Sequence, residues 1–161
     1  MAGKYFWFII EVNMNVVIIG ANRGIGLEFC KKYKELSCEV YAVCRNASSE
    51  LESLGVHIIE NVDVGDDQII STLGDKISCD SIDILIHNAG ILKGDSFPQI
   101  SLDKIRESFE VNTLGPFRTI MALKNKLKEG SKVGIVSSRV GSIADNESSN
   151  NYAYRTSTGT T

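Results

Sequence analysis

The stretch Asn15-Val16-Val17-Ile18-Ile19-Gly20-Ala21-Asn22-Arg23-Gly24-Ile25-Gly26 decides the fold. Its four consecutive β-branched residues, Val16 to Ile19, predict a strand buried on both faces. Glycines at 20, 24 and 26 then predict a tight turn that opens a helix. They let the backbone approach an anion and let the helix seat close to the strand. The first helical N–H groups and the positive end of the helix dipole face whatever lies in the turn. A glycine-rich stretch alone is a weak signal. Between a buried strand and an amphipathic helix it predicts a dinucleotide diphosphate site, with Gly20, Asn22, Arg23, Gly24, Ile25 and Gly26 as candidate residues. Asn22 and Arg23 also fit solvated turn residues.

Outward from that stretch, short apolar runs alternate with amphipathic ones. Glu39 to Val43, Val56 to Glu60, Ile82 to His87 and Lys132 to Ser137 read as further strands. Helices are predicted over Ile25 to Leu36, with Ile25, Phe29, Tyr33 and Leu36 as the apolar stripe, and over Asp66 to Ile77, with Ile69, Ile70, Leu73 and Ile77. Leu102 to Leu127 reads as a long helix with Ser101 as N-cap and a bend near Gly115-Pro116. Its stripe Val111, Leu114, Phe117 and Met121 is expected on the sheet. This order predicts a doubly wound parallel sheet, a Rossmann-like three-layer αβα fold with strand order 3-2-1-4-5. Residues 14–161 read as one domain, and 1–13 as an appended segment.

The chain has 161 residues, 43% hydrophobic and 23% charged, with a formal charge of −3. That suits one globular domain and gives no basic field for nucleic acid. Small-molecule partners are expected. No run approaches the ~20 apolar residues of a membrane span. Lys4 followed by Tyr5 to Ile10 is too short and wrongly flanked for a signal peptide. Cys30, Cys38, Cys44 and Cys79 lie singly, without C-x-x-C pairs or nearby histidines. Reduced, mostly buried thiols in a cytoplasmic protein without a metal site are expected.

Cofactor choice is read at the end of the second strand. Sites that hold NAD place a carboxylate there for the ribose 2′-hydroxyl. This chain has Val43-Cys44-Arg45. Arg23 and Arg45 without a carboxylate predict the extra 2′-phosphate of NADP, with NAD less favoured.

The spacing Gly20-x-x-x-Gly24-x-Gly26, Asp63-Val64, Asn88-Ala89-Gly90, Asn112, Ser138 and Tyr154 resembles the short-chain dehydrogenase/reductase family. Ser137 to Asn146 followed by Tyr152-Ala153-Tyr154-Arg155-Thr156-Ser157 resembles its sniffer-type carbonyl reductases and C-factor-like proteins. The likeness runs from Met14 to Ser157. It implies that Asp63 and Val64 hold the adenine ring, that Asn88, Ala89 and Gly90 line the cofactor, and that Asn112 organises a proton-relay water. Asp63 equally fits a carboxylate at a helix N-terminus, and Asn88 an ordinary turn. Asn112 is more telling, because a buried amide inside a helix must find partners.

The resemblance further implies an oxidoreductase acting on a carbonyl or alcohol substrate. Tyr154 would be the proton donor, and Ser138 would hydrogen-bond the oxygen on which charge develops. Tyr152 is the nearby decoy. Three departures stand out. Ile19 replaces a threonine before the first glycine. His87 replaces an asparagine and reads as structural. Thr158 stands where the family has a lysine that lowers the phenol pKa and holds the nicotinamide ribose. A phenol ordinarily ionises near pH ~10, so bringing it to ~7 takes about 4 kcal/mol that threonine cannot supply. An expected loss of ~10² to 10⁴ in rate follows.

The chain ends at Thr161, whereas the family continues through further helices and strands. A C-terminally truncated, impaired enzyme is therefore expected, with homo-oligomers in the complete form. The alternative is a non-catalytic nucleotide-binding or regulatory module.

Overall fold

A computed structural model describes residues 13–145 and 150–160. Strands β1 (Asn15–Ile19), β2 (Glu39–Val43), β3 (His57–Ile59), β4 (Ile82–His87) and β5 (Leu127–Ile135) form one sheet in the order β3-β2-β1-β4-β5. Every neighbouring pair is parallel. The expected doubly wound order is present. Successive residues of each strand point to opposite faces. Val17, Ile19, Tyr41, Val43 and Leu85 enter one core cluster, whereas Val16, Ile18, Val40, Ala42 and Ile86 enter the other. A strand needed on both sides cannot alternate with polar residues, which is why these runs are apolar throughout.

The helical elements are α1 (Gly24–Glu35), α2 (Ser49–Glu52), α3 (Ile69–Lys76), α4 (Leu102–Ser108), a π turn Phe109–Leu114, α5 (Gly115–Leu123), a 3₁₀ turn Arg139–Gly141 and α6 (Tyr152–Thr158). Leu27 and Cys30 of α1 and Leu51 of α2 close one face of the sheet. Ile69 and Leu73 of α3 and Leu123 of α5 close the other. The strand order reverses between β1 and β4, so a crevice opens at the carboxyl ends of these strands.

Several expectations are corrected. The long helix is three pieces, and it stops at Leu123 instead of Leu127. Pro116 has no N–H to give the Asn112 carbonyl in α register, and a π turn precedes it. The last strand begins at Leu127, five residues earlier than predicted, and ends at Ile135. The third strand is shortened to His57–Ile59, and the second helix to Ile69–Lys76. Helix α2, capped by the Ser48 hydroxyl accepting from Leu51 N, was not predicted. Ser101 caps α4 as expected, accepting from Lys104 N at 3.3 Å.

Two predicted apolar stripes are realised only in part, with Phe29, Tyr33 and Val111 packing against the core and their other members turned outward. Ile25 and Leu36 are exposed, and α1 buries Gly26, Leu27 and Cys30. Leu114, Phe117 and Met121 are likewise exposed, while Gly115, Pro116, Arg118, Thr119 and Leu123 turn inward. The reading of residues 1–13 falls, up to residue 12, outside the described residues.

Candidate active site

The glycine turn is built by backbone. Gly20 adopts φ +81°, and a Cβ there would lie 2.7 Å from the Ala89 backbone. Its N–H and that of Ala21 both donate to the Val43 carbonyl, at 2.9 and 3.1 Å. The Asn88 amide donates to the Gly20 carbonyl at 3.1 Å, which ties the turn to the end of β4. A Cβ on Gly26 would overlap the Gly20 carbonyl oxygen, so Gly26 serves helix-to-turn packing. Gly24, at φ +57°, is different. A Cβ there would meet nothing within 4 Å. Its glycine is demanded by conformation, and the space beside it stays open.

That open space fits an anionic dinucleotide. Helix α1 has no side-chain cap and no acidic residue in its first turn, so its leading N–H groups keep their positive potential for a ligand. Asn22 Oδ1 is buried without a hydrogen-bond partner among the described residues. A cleft of roughly 400 Å³ extends from this turn. Its walls include Gly20, Asn22, Arg23, Gly24, Ile25, Arg45, Asp63, Val64, Asn88, Ala89 and Gly90, all predicted. Of the predicted cofactor positions, only Gly26 lies behind the wall. Sequence reasoning missed Cys44, Asn46, Val62, Ile91 and Val111 in the same lining. These carry no motif, although their places at strand ends and on the π turn follow from the topology.

Arg23 and Arg45 are exposed at the cleft, and neither is ion-paired among the described residues. Asp63 accepts from Gly65 N through Oδ1 at 2.9 Å, closing its own turn. Val64 is buried beneath it.

Asn112 lies in the π turn with its amide committed to protein partners. Oδ1 accepts from Ile91 N at 2.8 Å, and Nδ2 donates to the Ile91 carbonyl and to Ser157 Oγ, each at 2.9 Å. Thr113 Oγ1 donates to the Ser157 carbonyl at 2.8 Å. The π turn therefore holds α6, the helix that carries Tyr154. A second brace comes from Asp95, nearly buried, whose carboxylate accepts from Ala153 N at 3.3 Å and whose carbonyl accepts from Asn151 N at 2.8 Å. Asp95 thus supplies the missing cap of α6 from 58 residues away in sequence. It carried no sequence signal.

Ser138 is half-buried and opens the 3₁₀ turn, its hydroxyl accepting from Val140 N at 3.4 Å. That turn presents bare glycine backbone to the Thr158 main chain and hydroxyl of α6. A Cβ on Gly141 would lie 2.8 Å from Thr158. Ser137 Oγ donates to the Thr158 carbonyl at 3.1 Å. Ser138 and Tyr154 thus sit on two segments locked together, although neither lines the 400 Å³ cleft. Thr158 is buried and turns its hydroxyl back to the Tyr154 carbonyl, at 2.8 Å.

His87 is buried, its Nδ1 3.1 Å from Thr119 Oγ1, and its Nε2 has no close hydrogen-bond partner among the described residues. Burial lowers its pKa from 6.5 to about 4, with a weaker opposing pull from the Ala89 backbone. It is a neutral core residue below the site. All four cysteines are free, and burial pushes the Cys30 thiol up to about 12, with Cys44 adding to the effect. Such a thiol is a poor nucleophile. Among the described residues no cluster of His, Cys, Asp and Glu could hold a metal, and no helix is long and apolar enough to cross a membrane.

A family model described as short chain dehydrogenase matches residues 14–159. The chain is 37% identical over 144 residues to a 1-hydroxy-2-glutathionyl-2-methyl-3-butene dehydrogenase of Rhodococcus sp. strain AD45, covering 88% of this chain and 64% of that protein. Among solved structures it resembles a Burkholderia multivorans protein described as a short-chain dehydrogenase/reductase with bound NADP. That match has a TM-score of 0.83 at 27% identity, over 92% of this chain and 68% of the other. A carbonyl reductase from Pseudomonas aeruginosa PAO1 superposes with a TM-score of 0.81 at 28% identity, over 91% of this chain and 72% of the reductase. The chain spans only 41% and 52% of two further curated relatives.

Proposed function

This chain belongs to the short-chain dehydrogenase family, and on that premise we propose that it binds NADP and carries the reacting side chains of a carbonyl or alcohol oxidoreductase. The observation that carries the reading is the single cleft whose lining takes in the glycine turn, Arg45, Asp63-Val64 and Asn88-Ala89-Gly90. Backbone N–H groups at Gly24 and Ile25 hold the diphosphate. Arg23 and Arg45, both in the wall and both without an ion pair among the described residues, hold the 2′-phosphate. The NADP-bound relative supports that choice over NAD. Asp63 and Val64 flank the adenine.

When bound, the nicotinamide supplies hydride. The chain's own part is positional. Ser138 hydrogen-bonds the substrate oxygen, and Tyr154 hands it a proton. Asn112 keeps α6 in place through Ser157, and the water that relays protons to Tyr154 is assigned to the π turn. Thr158 carries no charge with which to assist the phenol, so turnover is impaired. The complete protein is read as a cytoplasmic homo-oligomer acting on a small carbonyl compound, without nucleic-acid or membrane partners. Its free thiols, three of them buried, support that compartment.

Thr158 also favours a second reading, a nucleotide-binding or regulatory module that no longer turns over. Titration with NADPH, followed by turnover of a simple aldehyde, separates the two. The enzyme reading expects tight NADPH binding, weak turnover, and a gain of ~10²-fold or more for Thr158→Lys. Binding with no turnover in either form establishes the module. No binding of NADPH or NADH to folded protein removes both.

A further inference from the structure

Arg118 was not among the predicted site residues, and it makes the most connected side-chain cluster near the cleft. It lies on α5 with its side chain only 9% exposed. Nε donates to Asp67 Oδ1 at 2.5 Å, and Nη2 to Glu110 Oε2 at 2.6 Å. Nη1 donates to the Glu110 carbonyl at 2.8 Å and to the Val64 carbonyl at 3.4 Å. One planar guanidinium therefore ties the 63–67 loop to the π turn and to α5. The three segments also touch directly. A Cβ on Gly115 would lie 3.1 Å from Val64, and one on Gly65 would lie 3.5 Å from Val111.

Solvation alone would not place a cation here. A long charged side chain on a surface helix ordinarily extends to water, whereas this one is drawn inward between two segments and spends its donors on carbonyls and two carboxylates. Asp63, Val64 and Val111 line the cleft, and Asn112 is the next residue on the same π turn. The clamp thus joins the wall read as adenine-binding to the turn that braces α6.

We propose that Arg118 is a positioning residue of the nucleotide site, fixing the 63–67 loop against the π turn so that the adenine wall and the Asn112 brace keep one spacing. This rests on the nucleotide reading above. Lysine cannot reproduce it, since an ammonium cannot span the same partners in one plane.

The test uses the full chain, with adenosine 2′,5′-bisphosphate and NADPH as calorimetric probes and amide hydrogen exchange as a second readout. Arg118→Gln is expected to weaken the bisphosphate about tenfold or more, and Arg118→Lys to restore only part of it. Exchange across 63–67 and 109–114 is expected to rise together while β1 and β4 stay protected. Asp67→Asn, whose side chain is 80% exposed in the parent, is expected to fold and to weaken binding several-fold, with no further loss when added to Arg118→Gln. If Arg118→Gln fails to fold, Asp67→Asn decides alone. Wild-type affinity and exchange in the folded variants overturns the proposal and leaves the nucleotide reading intact. Failure of the parent chain to bind either probe removes both.

Discussion

Gly24 and Gly26 stand two residues apart and answer to different constraints. Gly24→Ala meets no neighbour and pays only for its left-handed backbone, about 1 kcal/mol. It is expected to melt near the parent temperature and to bind NADPH at least tenfold more weakly, because the methyl enters the open space beside the helix N-terminus. Gly26→Ala drives a methyl into the Gly20 carbonyl and the Asn88 amide, and is expected to lose about 3 kcal/mol or more in urea melts. Equal effects of the two on binding and stability would sink the assignment of Gly24. His87 gives a pH dependence. Above pH 6.5 the ring is neutral whether the chain is folded or not. As pH falls from 6.5 towards 4, the unfolded chain takes the proton and the folded one does not, so stability declines by ~1.4 kcal/mol per unit and levels off below. About 3 kcal/mol is lost in all. Urea melts at pH 7, 6, 5 and 4 are expected to show that slope and His87→Asn to lack it.

Among the elements, α6 depends most on remote partners. Asp95→Ala is expected to remove its cap at a cost of about 1 kcal/mol and to speed amide exchange across 152–158 while leaving β1 and β4 protected. Asp95→Asn keeps an acceptor and is expected to keep most of the protection. Unchanged exchange in Asp95→Ala would show that the bonds from Asn112 and Thr113 suffice. The strands β1, β2 and β4 were legible to the residue, because burial on both faces leaves an uninterrupted β-branched run. Helix faces were legible only in part: Ile69, Leu73 and Ile77 are buried as read, whereas the faces of α1 and α5 depart from the reading. Where a helix lies close on a sheet, small residues make the contact, so Gly26, Cys30, Gly115 and Thr119 turn inward and bulky Ile25, Phe117 and Met121 turn out. Ranking by hydrophobicity alone inverts that. The glycine turn was legible because backbone geometry demands those glycines locally. Arg118 and Asp95 were not, since Asp67 and Ala153, which they hold, lie 51 and 58 residues away. A lone arginine within the apolar run Pro116 to Leu123 was the available signal for the former.

At the scale of the molecule, β5 is an edge strand with Val133 and Ile135 exposed, as is Val136 just beyond it, and Leu114 of the π turn with Phe117 and Met121 of α5 face solvent. Unpaired strand edges and apolar surface of this extent promote association. The 161-residue chain is expected to self-associate at micromolar concentration, and Val133→Lys to reduce this. Light scattering checks it, and a monodisperse parent monomer would contradict the expectation. The contact of Gly141 with Thr158 bears on the proposed chemistry from another side. The interval between Ser138 and Tyr154 is gauged by the Gly141 main chain resting on the Thr158 main chain and hydroxyl, with no side chain at 141 to repack if the interval must change. Any Cβ at position 141 acts as a shim, prising the serine turn off the tyrosine helix. Tolerance at that single position measures how much slack the proposed reacting pair can bear.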